Sequence, residues 1–305
     1  MQITNPWLRL PLFALLLLIP VVAGEIYVRS LPDPAKSKHK FLLQHSNEID
    51  VLILGSSHTY YGICPEDISP NAYSAAQVSQ TLCYDNWILH HYPFGRLQTV
   101  ILPISDFSFY EELEQGNEWY LANRYRLYME CDLHSQWSVY NWEVTAFRVF
   151  CNKLQSLWKS PSRQWSTYGQ GLEYTLAKRP ATWDNGAERA ATNHYTNYNA
   201  TFNNERYLQS MAAFCKERGI KLLLISTPLR PSYRQNQLPK QVKDMHLRIQ
   251  NLVCSFPQVV YRDYSADPRF EANDFYDSDH LCRQGAHKLS RLLKATIDSL
   301  DTLPH

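Results

Sequence analysis

Apolar positions along the 305-residue chain follow two rhythms. Unbroken aliphatic runs stand at residues 50–55, 99–104 and 221–228, with weaker extended pieces at 72–75 and 258–261. Short runs of this kind, without polar alternation, suit parallel strands covered on both faces. Between them the spacing turns helical, at residues 77–92, 204–218, 239–254 and 284–300. The 204–218 pattern stops at Gly219, a C-terminal helix signal, and the last pattern sets Ala286, Leu289, Leu293 and Leu300 on one face. Strands alternating with helices predict an α/β fold on a parallel sheet, with ligands at the carboxyl ends of the strands.

Two regions break the alternation. Residues 107–200 show no strand rhythm, yet hold Trp119, Trp137, Trp142, Trp158, Trp165 and Trp183, six of the eight tryptophans. Phe147, Cys151, Leu154 and Trp158 recur at helical spacing there. The insertion reads as helices packed around an aromatic core, as a lid with aromatics over a site, or as a membrane-surface contact. The second region is the N-terminus, where residues 10–24 are apolar and uncharged between Arg9 and Glu25. That run falls short of the roughly 20 residues of a bilayer span. Extending it over residues 7–28 reaches spanning length but admits both charges. An uncleaved signal anchor over residues 1–29 is the expectation. The rival is a cleaved signal peptide ending at Val22-Ala23-Gly24. Residues 30–48, polar with Pro32 and Pro34, read as a linker, leaving 49–305 as the folded α/β domain.

Composition narrows the function classes. A formal net charge of +1 and no basic run give no electrostatic case for nucleic acid. Only 10 glycines argue against glycine-rich phosphate loops, and no cofactor is expected. The 20 tyrosines within a 13% aromatic content suit a protein that grips sugars or packs broad aromatic surfaces. Seven cysteines show no CxxC and no zinc-like spacing. They read as small buried hydrophobes, with a disulfide framework as the alternative.

The candidate chemistry sits at strand ends. The first run closes in Gly55-Ser56-Ser57-His58. A serine nucleophile needs a sharp strand-to-helix turn that exposes its hydroxyl beside backbone N–H groups. Near the C-terminus, Asp277-Ser278-Asp279-His280 places a carboxylate three residues before an imidazole. One ring nitrogen could then be held by the carboxylate while the other takes a serine proton. Asp279 competes with Asp277 for the orienting role, though its adjacency to His280 points the two side chains apart. His58 reads as a helix-start or pocket-wall residue rather than the base. Asp274, Asp277, Asp279 and His280 could alternatively hold a hard metal, but no second histidine cluster supports a metal centre. Gly55-x-Ser57-x-Thr59 lacks the second glycine of the α/β-hydrolase elbow.

These blocks resemble the SGNH/GDSL hydrolase superfamily. Gly55-Ser56-Ser57 is similar to its Gly-Asp-Ser block, with Ser56 replacing the aspartate, and Asp277-Ser278-Asp279-His280 matches its Asp-x-x-His block. The resemblance implies a flavodoxin-like three-layer sandwich, Ser57 as nucleophile, His280 as base and Asp277 as orienter. The family's oxyanion blocks are represented by Ser74-Ala75-Ala76-Gln77-Val78-Ser79 and Pro103-Ile104-Ser105-Asp106. They imply Ser79 (backbone N–H), Gln80 (amide) and Ser105 (hydroxyl) as donors.

The likeness covers residues 48–106 and 203–300, not the insertion. A membrane-anchored member with degenerate middle blocks resembles exported proteins that acetylate or deacetylate envelope polysaccharides. The implied substrate is an ester-bearing polysaccharide or small acyl ester, and the implied partner a membrane-bound O-acyltransferase. A non-enzymatic carbohydrate-binding or assembly protein on the same fold is the alternative. Export is implied although Arg29, Lys36, Lys38 and Lys40 follow the apolar run and only Arg9 precedes it, a bias that by itself favours a cytoplasmic domain.

Overall fold

The computed structural model describes residues 6–135, 137–158, 164–194 and 204–301. In chain order the helices and strands begin with α1 (Pro6–Ser30), α2 (Pro34–His45), β1 (Val51–Ile53), α3 (Ser57–Gly62), β2 (Ala72–Ser74), α4 (Leu82–His91) and β3 (Thr99–Pro103). Next come the short helices α5 (Asn123–Tyr128), α6 (Phe147–Leu154) and α7 (Ala187–Asn193). The chain closes with α8 (Glu205–Glu217), β4 (Lys221–Ser226), α9 (Pro231–Arg234), α10 (Pro239–Ser255), β5 (Val259–Asp263) and α11 (Arg283–Asp301). It divides into two compact units, residues 1–37 with 119–162, and residues 38–118 with 163–305.

The larger unit is an α/β sandwich. Its five strands are all parallel in the order β2-β1-β3-β4-β5, the flavodoxin-like arrangement. The aliphatic runs explain the sheet: Leu52, Ile53, Val100, Ile101 and Leu222 to Ile225 are fully buried. One sheet face carries Ile53, Ile101, Leu223 and Ile225 against Leu289, Leu293 and Ile297 of α11. Burying each such side chain stabilises by about 1.5–3 kcal/mol. Ile297 completes the apolar stripe of α11 where Leu300 was expected, because Leu300 is only half-buried. Gly219, at φ +66°, ends the α8 segment and turns the chain into β4.

Two boundaries differ from the sequence reading. The stretch 30–48 contains α2, whose Ala35, Lys38 and Leu42 are wholly buried, so its lysines disguise a packed helix as a linker. Lys38 donates to the Ala76 carbonyl and lies over the Tyr60 ring. The helix expected from residue 77 starts at Leu82, because residues 77–80 form a turn in which Ser79 takes φ +57°. All seven cysteines are free, and Cys64, Cys131, Cys215 and Cys282 are buried.

The smaller unit is built on α1. Its apolar side chains from Leu15 to Ile19 are more than half exposed, and the helix is long and apolar enough to cross a membrane. Glu25, the charge that interrupts the apolar run, is buried. Its carboxylate accepts the N–H groups of Glu143 (2.9 Å) and Val144 (3.0 Å) and pairs with Arg29. Phe150 of α6 packs against Gly24. Glu143 in turn binds Lys153, Tyr128 and Asn123. The aromatic-core reading holds in this part of the insertion for tyrosine and phenylalanine but not for three of its tryptophans. Trp137, Trp142 and Trp158 are exposed, and the buried aromatics beside the Glu143 network are Tyr125, Tyr128 and Phe150.

Candidate active site

β1 ends at Ile53, and the chain turns through Gly55 into α3. Gly55 sits at φ +105°, and a Cβ there would lie 2.1 Å from Pro103 Cγ, so only glycine fits. Its N–H donates to Asp85 Oδ1 (2.7 Å), while Thr59 Oγ1 donates to the Leu54 carbonyl (2.7 Å). The next loop is tied to the same strand end, by Ala75 N–H to Ile53 O (2.8 Å) and Gln77 N–H to Gly55 O (3.0 Å). Ser57 becomes the first residue of α3, its hydroxyl at the carboxyl edge of the sheet.

The loop before α11 supplies the partner groups. Phe275 and Leu281 form an antiparallel bridge, and Tyr276 N–H donates to His280 O (2.8 Å). Asp277 Oδ1 accepts the backbone N–H groups of Asp279 (3.1 Å) and His280 (2.7 Å), which locks the turn. Ser57 Oγ lies 2.8 Å from His280 Nε2, and His280 Nδ1 lies 3.0 and 3.1 Å from the two Asp277 oxygens. The three residues paired from sequence are therefore in one hydrogen-bonded line, across 223 positions between Ser57 and His280.

A second set of the same residue types stands beside it. His58 stacks on His280 at 4.6 Å between ring centroids and 15° between planes. Its Nδ1 lies 3.2 Å from Ser56 Oγ, and its Nε2 lies 3.5 Å from Asp279 Oδ2. Asp279 is not turned away by its adjacency to His280, as expected, since its Oδ1 stands 3.6 Å from His280 Nδ1. The loop bends so that this buried carboxylate faces one ring nitrogen of each imidazole, His58 Nε2 and His280 Nδ1. Burial alone would depress His280, but the Asp279 and Asp277 carboxylates outweigh it and raise the imidazole to about 9. Burial opposes ionisation of Asp279, and the neighbouring His280 and His58 override it and hold the carboxyl below its ordinary value. Burial lowers His58, against its bond to Asp279.

His58, Asp279 and His280 also bring ligand-type atoms within 4.8 Å of one another. Both His280 nitrogens, however, already face Ser57 and Asp277. Asp274 is turned elsewhere, accepting from Glu271 N–H and pairing with Lys288.

Around these groups opens a cavity of about 520 Å³. Ser79, Gln80 and Ser105 all line it. Ser79 holds a left-handed backbone, a conformation that costs a serine about 1–2 kcal/mol, and its hydroxyl donates to Glu118. Gln80 departs from expectation: its amide donates to Asp85 (2.6 Å) and braces the wall. The Ser105 N–H donates to Ser108 Oγ (3.0 Å). Sequence reasoning missed Asp85, the buried acceptor for both Gly55 and Gln80, because a lone aspartate in a helical pattern carries no motif. Burial raises its carboxyl to about 7, against those two hydrogen bonds.

The insertion also contributes to this unit. Tyr174 lies edge-on to His280 (5.4 Å, 87°) and stacks between Tyr61 and Tyr276. His194 stacks on Phe107 and bonds Glu111. Asp85, Glu111, Glu112, Glu118, Asp277 and Asp279 face the cavity, and among the described residues no lysine or arginine lines it.

No family model and no curated protein matches the chain. It is similar to a solved Streptococcus pneumonia protein provisionally described as a platelet activating factor. That alignment covers 94% of this chain and 99% of the other, at 11% identity and a TM-score of 0.45. It is also similar to a Bacteroides fragilis protein provisionally described as an acylhydrolase. There the coverage is 89% of this chain and 97% of the other, at 11% identity and a TM-score of 0.43.

Proposed function

We propose that the protein is an SGNH-type serine acyl-ester hydrolase or O-acyltransferase. The observation that carries this reading is the line Ser57 Oγ–His280 Nε2, His280 Nδ1–Asp277, at 2.8 and 3.0 Å. Ser57 Oγ attacks the ester carbonyl carbon as His280 Nε2 accepts its proton, and Asp277 holds the resulting imidazolium. The tetrahedral intermediate then expels the alcohol, which takes the proton back from His280, leaving an acyl group on Ser57. Water, or an acceptor hydroxyl in the transferase case, gives its proton to His280 as its oxygen bonds the acyl carbon, and Ser57 Oγ leaves with the proton that His280 returns. The Ser57 and Ser79 backbone N–H groups, with the Ser105 hydroxyl, are the proposed oxyanion donors.

The cavity lining supports a polyhydroxylated, uncharged ester as substrate. Carboxylates accept hydrogen bonds from sugar hydroxyls, and their negative field repels anionic groups. O-acetyl groups of an envelope polysaccharide fit that chemistry. The extracytoplasmic location and the neighbouring membrane-bound O-acyltransferase rest on the SGNH resemblance.

A second reading is a carbohydrate-binding protein with little turnover. It is favoured by the engagement of the Gln80 amide with Asp85, which removes one expected oxyanion donor. Fluorophosphonate treatment of the full chain, followed by peptide mass spectrometry, separates the two. Labelling at Ser57 that disappears in His280→Ala is the expected result. A folded protein that stays unlabelled while binding acetylated sugar overturns the enzymatic reading.

A further inference from the structure

The exposed apolar side chains of this molecule are not scattered. Outside the smaller unit, the large hydrophobics exposed among the described residues are three separate leucines, Leu43, Leu176 and Leu247. The rest belong to α1 or to residues 133–158. In that second group Trp137 is 96% exposed and Trp158 is 81%, with Phe147, Leu157 and Trp142 each more than half exposed. Isolated exposed leucines are ordinary, but a concentration of bare tryptophan and phenylalanine in one short segment marks a contact surface.

Its place beside α1 says what the contact is with. Glu25 breaks the apolar run and should prevent the helix from spanning. Residues 141–144 remove that obstacle: two backbone N–H groups and Arg29 neutralise the carboxylate, and Arg29 also donates to the Asn141 carbonyl (2.7 Å). With Glu25 buried, the apolar surface of α1 continues through the exposed Ile26. Residues 11–28 then span about 27 Å at 1.5 Å per residue, close to the roughly 30 Å hydrocarbon thickness. Phe150 packs on Gly24, so α6 lies within the last apolar turn of the span, at the depth where hydrocarbon gives way to headgroups. Tryptophan is enriched at that depth, where its ring is buried in the interface and its N–H stays hydrated. Arg29, paired with Glu25, also stacks on Trp142 at the same level (5.4 Å).

We propose that residues 133–158 form a second membrane contact, an aromatic face that rests in the lipid headgroup region beside the α1 span. The helix then crosses the bilayer with a docked collar at one end rather than as a bare tether.

The test uses the full chain in phosphatidylcholine nanodiscs made with or without acyl-brominated lipid, which quenches tryptophan emission at short range. In wild type, lipid-dependent quenching is expected. Trp137→Phe/Trp158→Phe should lose a large part of it, whereas Trp165→Phe/Trp183→Phe in the larger unit should lose none. Near-ultraviolet circular dichroism establishes that each variant is folded, and single Trp137→Tyr and Trp158→Tyr variants serve if the double variant is not. Unchanged quenching in folded Trp137→Phe/Trp158→Phe overturns the proposal. So does shielding of these tryptophans from aqueous iodide without quenching by brominated lipid, which would indicate a protein partner.

Discussion

Two Ser-His-Asp sets lie side by side in the cavity, and their difference separates the proposed reaction line from the groups beside it. In the first, Ser57, His280 and Asp277 make contacts of 2.8 and 3.0 Å, and the His280 Nε2 faces the serine. In the second, Ser56, His58 and Asp279 are spaced at 3.2 and 3.5 Å, and His58 turns its Nδ1 to the serine instead. Ser56 and His58 are two positions apart, so that contact closes within one turn of backbone and needs no tertiary assembly. Residue types alone do not make a triad; the ring orientation and a carboxylate locked by its own loop do.

The largest expected effects break the first set. Ser57→Ala and His280→Ala should each lower kcat/KM on an acetyl ester by about 10⁴-fold or more, against about tenfold or less for Ser56→Ala. Comparable losses from Ser56→Ala and Ser57→Ala would show that the wrong serine has been named. Asp277→Asn should cost about 10³–10⁴-fold, since an amide cannot stabilise the imidazolium.

Asp279→Asn sharpens the comparison through pH. His280 must be neutral to take the Ser57 proton, and its two carboxylates hold it near 9, so kcat/KM should rise with pH toward that value. Removing the Asp279 charge takes away the first of the influences that raise His280 and should move the acid limb to lower pH. A profile that stays in place refutes a role for Asp279 in setting the base.

Asp85 tests the turn that carries both serines. Asp85→Ala leaves the Gly55 N–H and the Gln80 amide without their acceptor and should destabilise the fold by about 1–3 kcal/mol. Its carboxyl titrates near 7 when folded, above the ordinary 3.8, so the native state holds a proton that the unfolded chain releases. That contribution to stability falls as pH rises from about 4 through about 7. Asp85→Asn should flatten this dependence in denaturant melts at pH 5 and pH 8.

The smallest effect concerns substrate charge. With six carboxyl groups and no lysine or arginine among the described lining, a succinyl ester should react about tenfold more slowly than its acetyl counterpart, the gap narrowing in high salt.

Much of this was legible in the chain. Three of the five strands, β1, β3 and β4, appear as aliphatic runs because a parallel strand covered on both faces must be apolar throughout. Asp277 and His280 could be paired because they share one local turn, whereas Ser57 joined them only through the SGNH resemblance, 223 positions away from His280. Residues 30–48 misled, since α2 packs on few apolar positions and buries a lysine by giving it a carbonyl and a tyrosine ring. The tryptophans of residues 119–158 looked like core, but aromatic content does not say which face a ring takes.

The sequence by itself therefore determined the parallel α/β sheet, the glycine turn and the loop pairing of Asp277 with His280. Each follows from neighbouring residues and their steric or hydrogen-bonding limits. The tertiary structure alone decided that Ser57 meets His280, that Asp279 faces a nitrogen of each of two stacked imidazoles, and that Glu25 is hidden inside its own unit. Those depend on groups far apart in the chain, whose charges matter only once folding has removed the water between them.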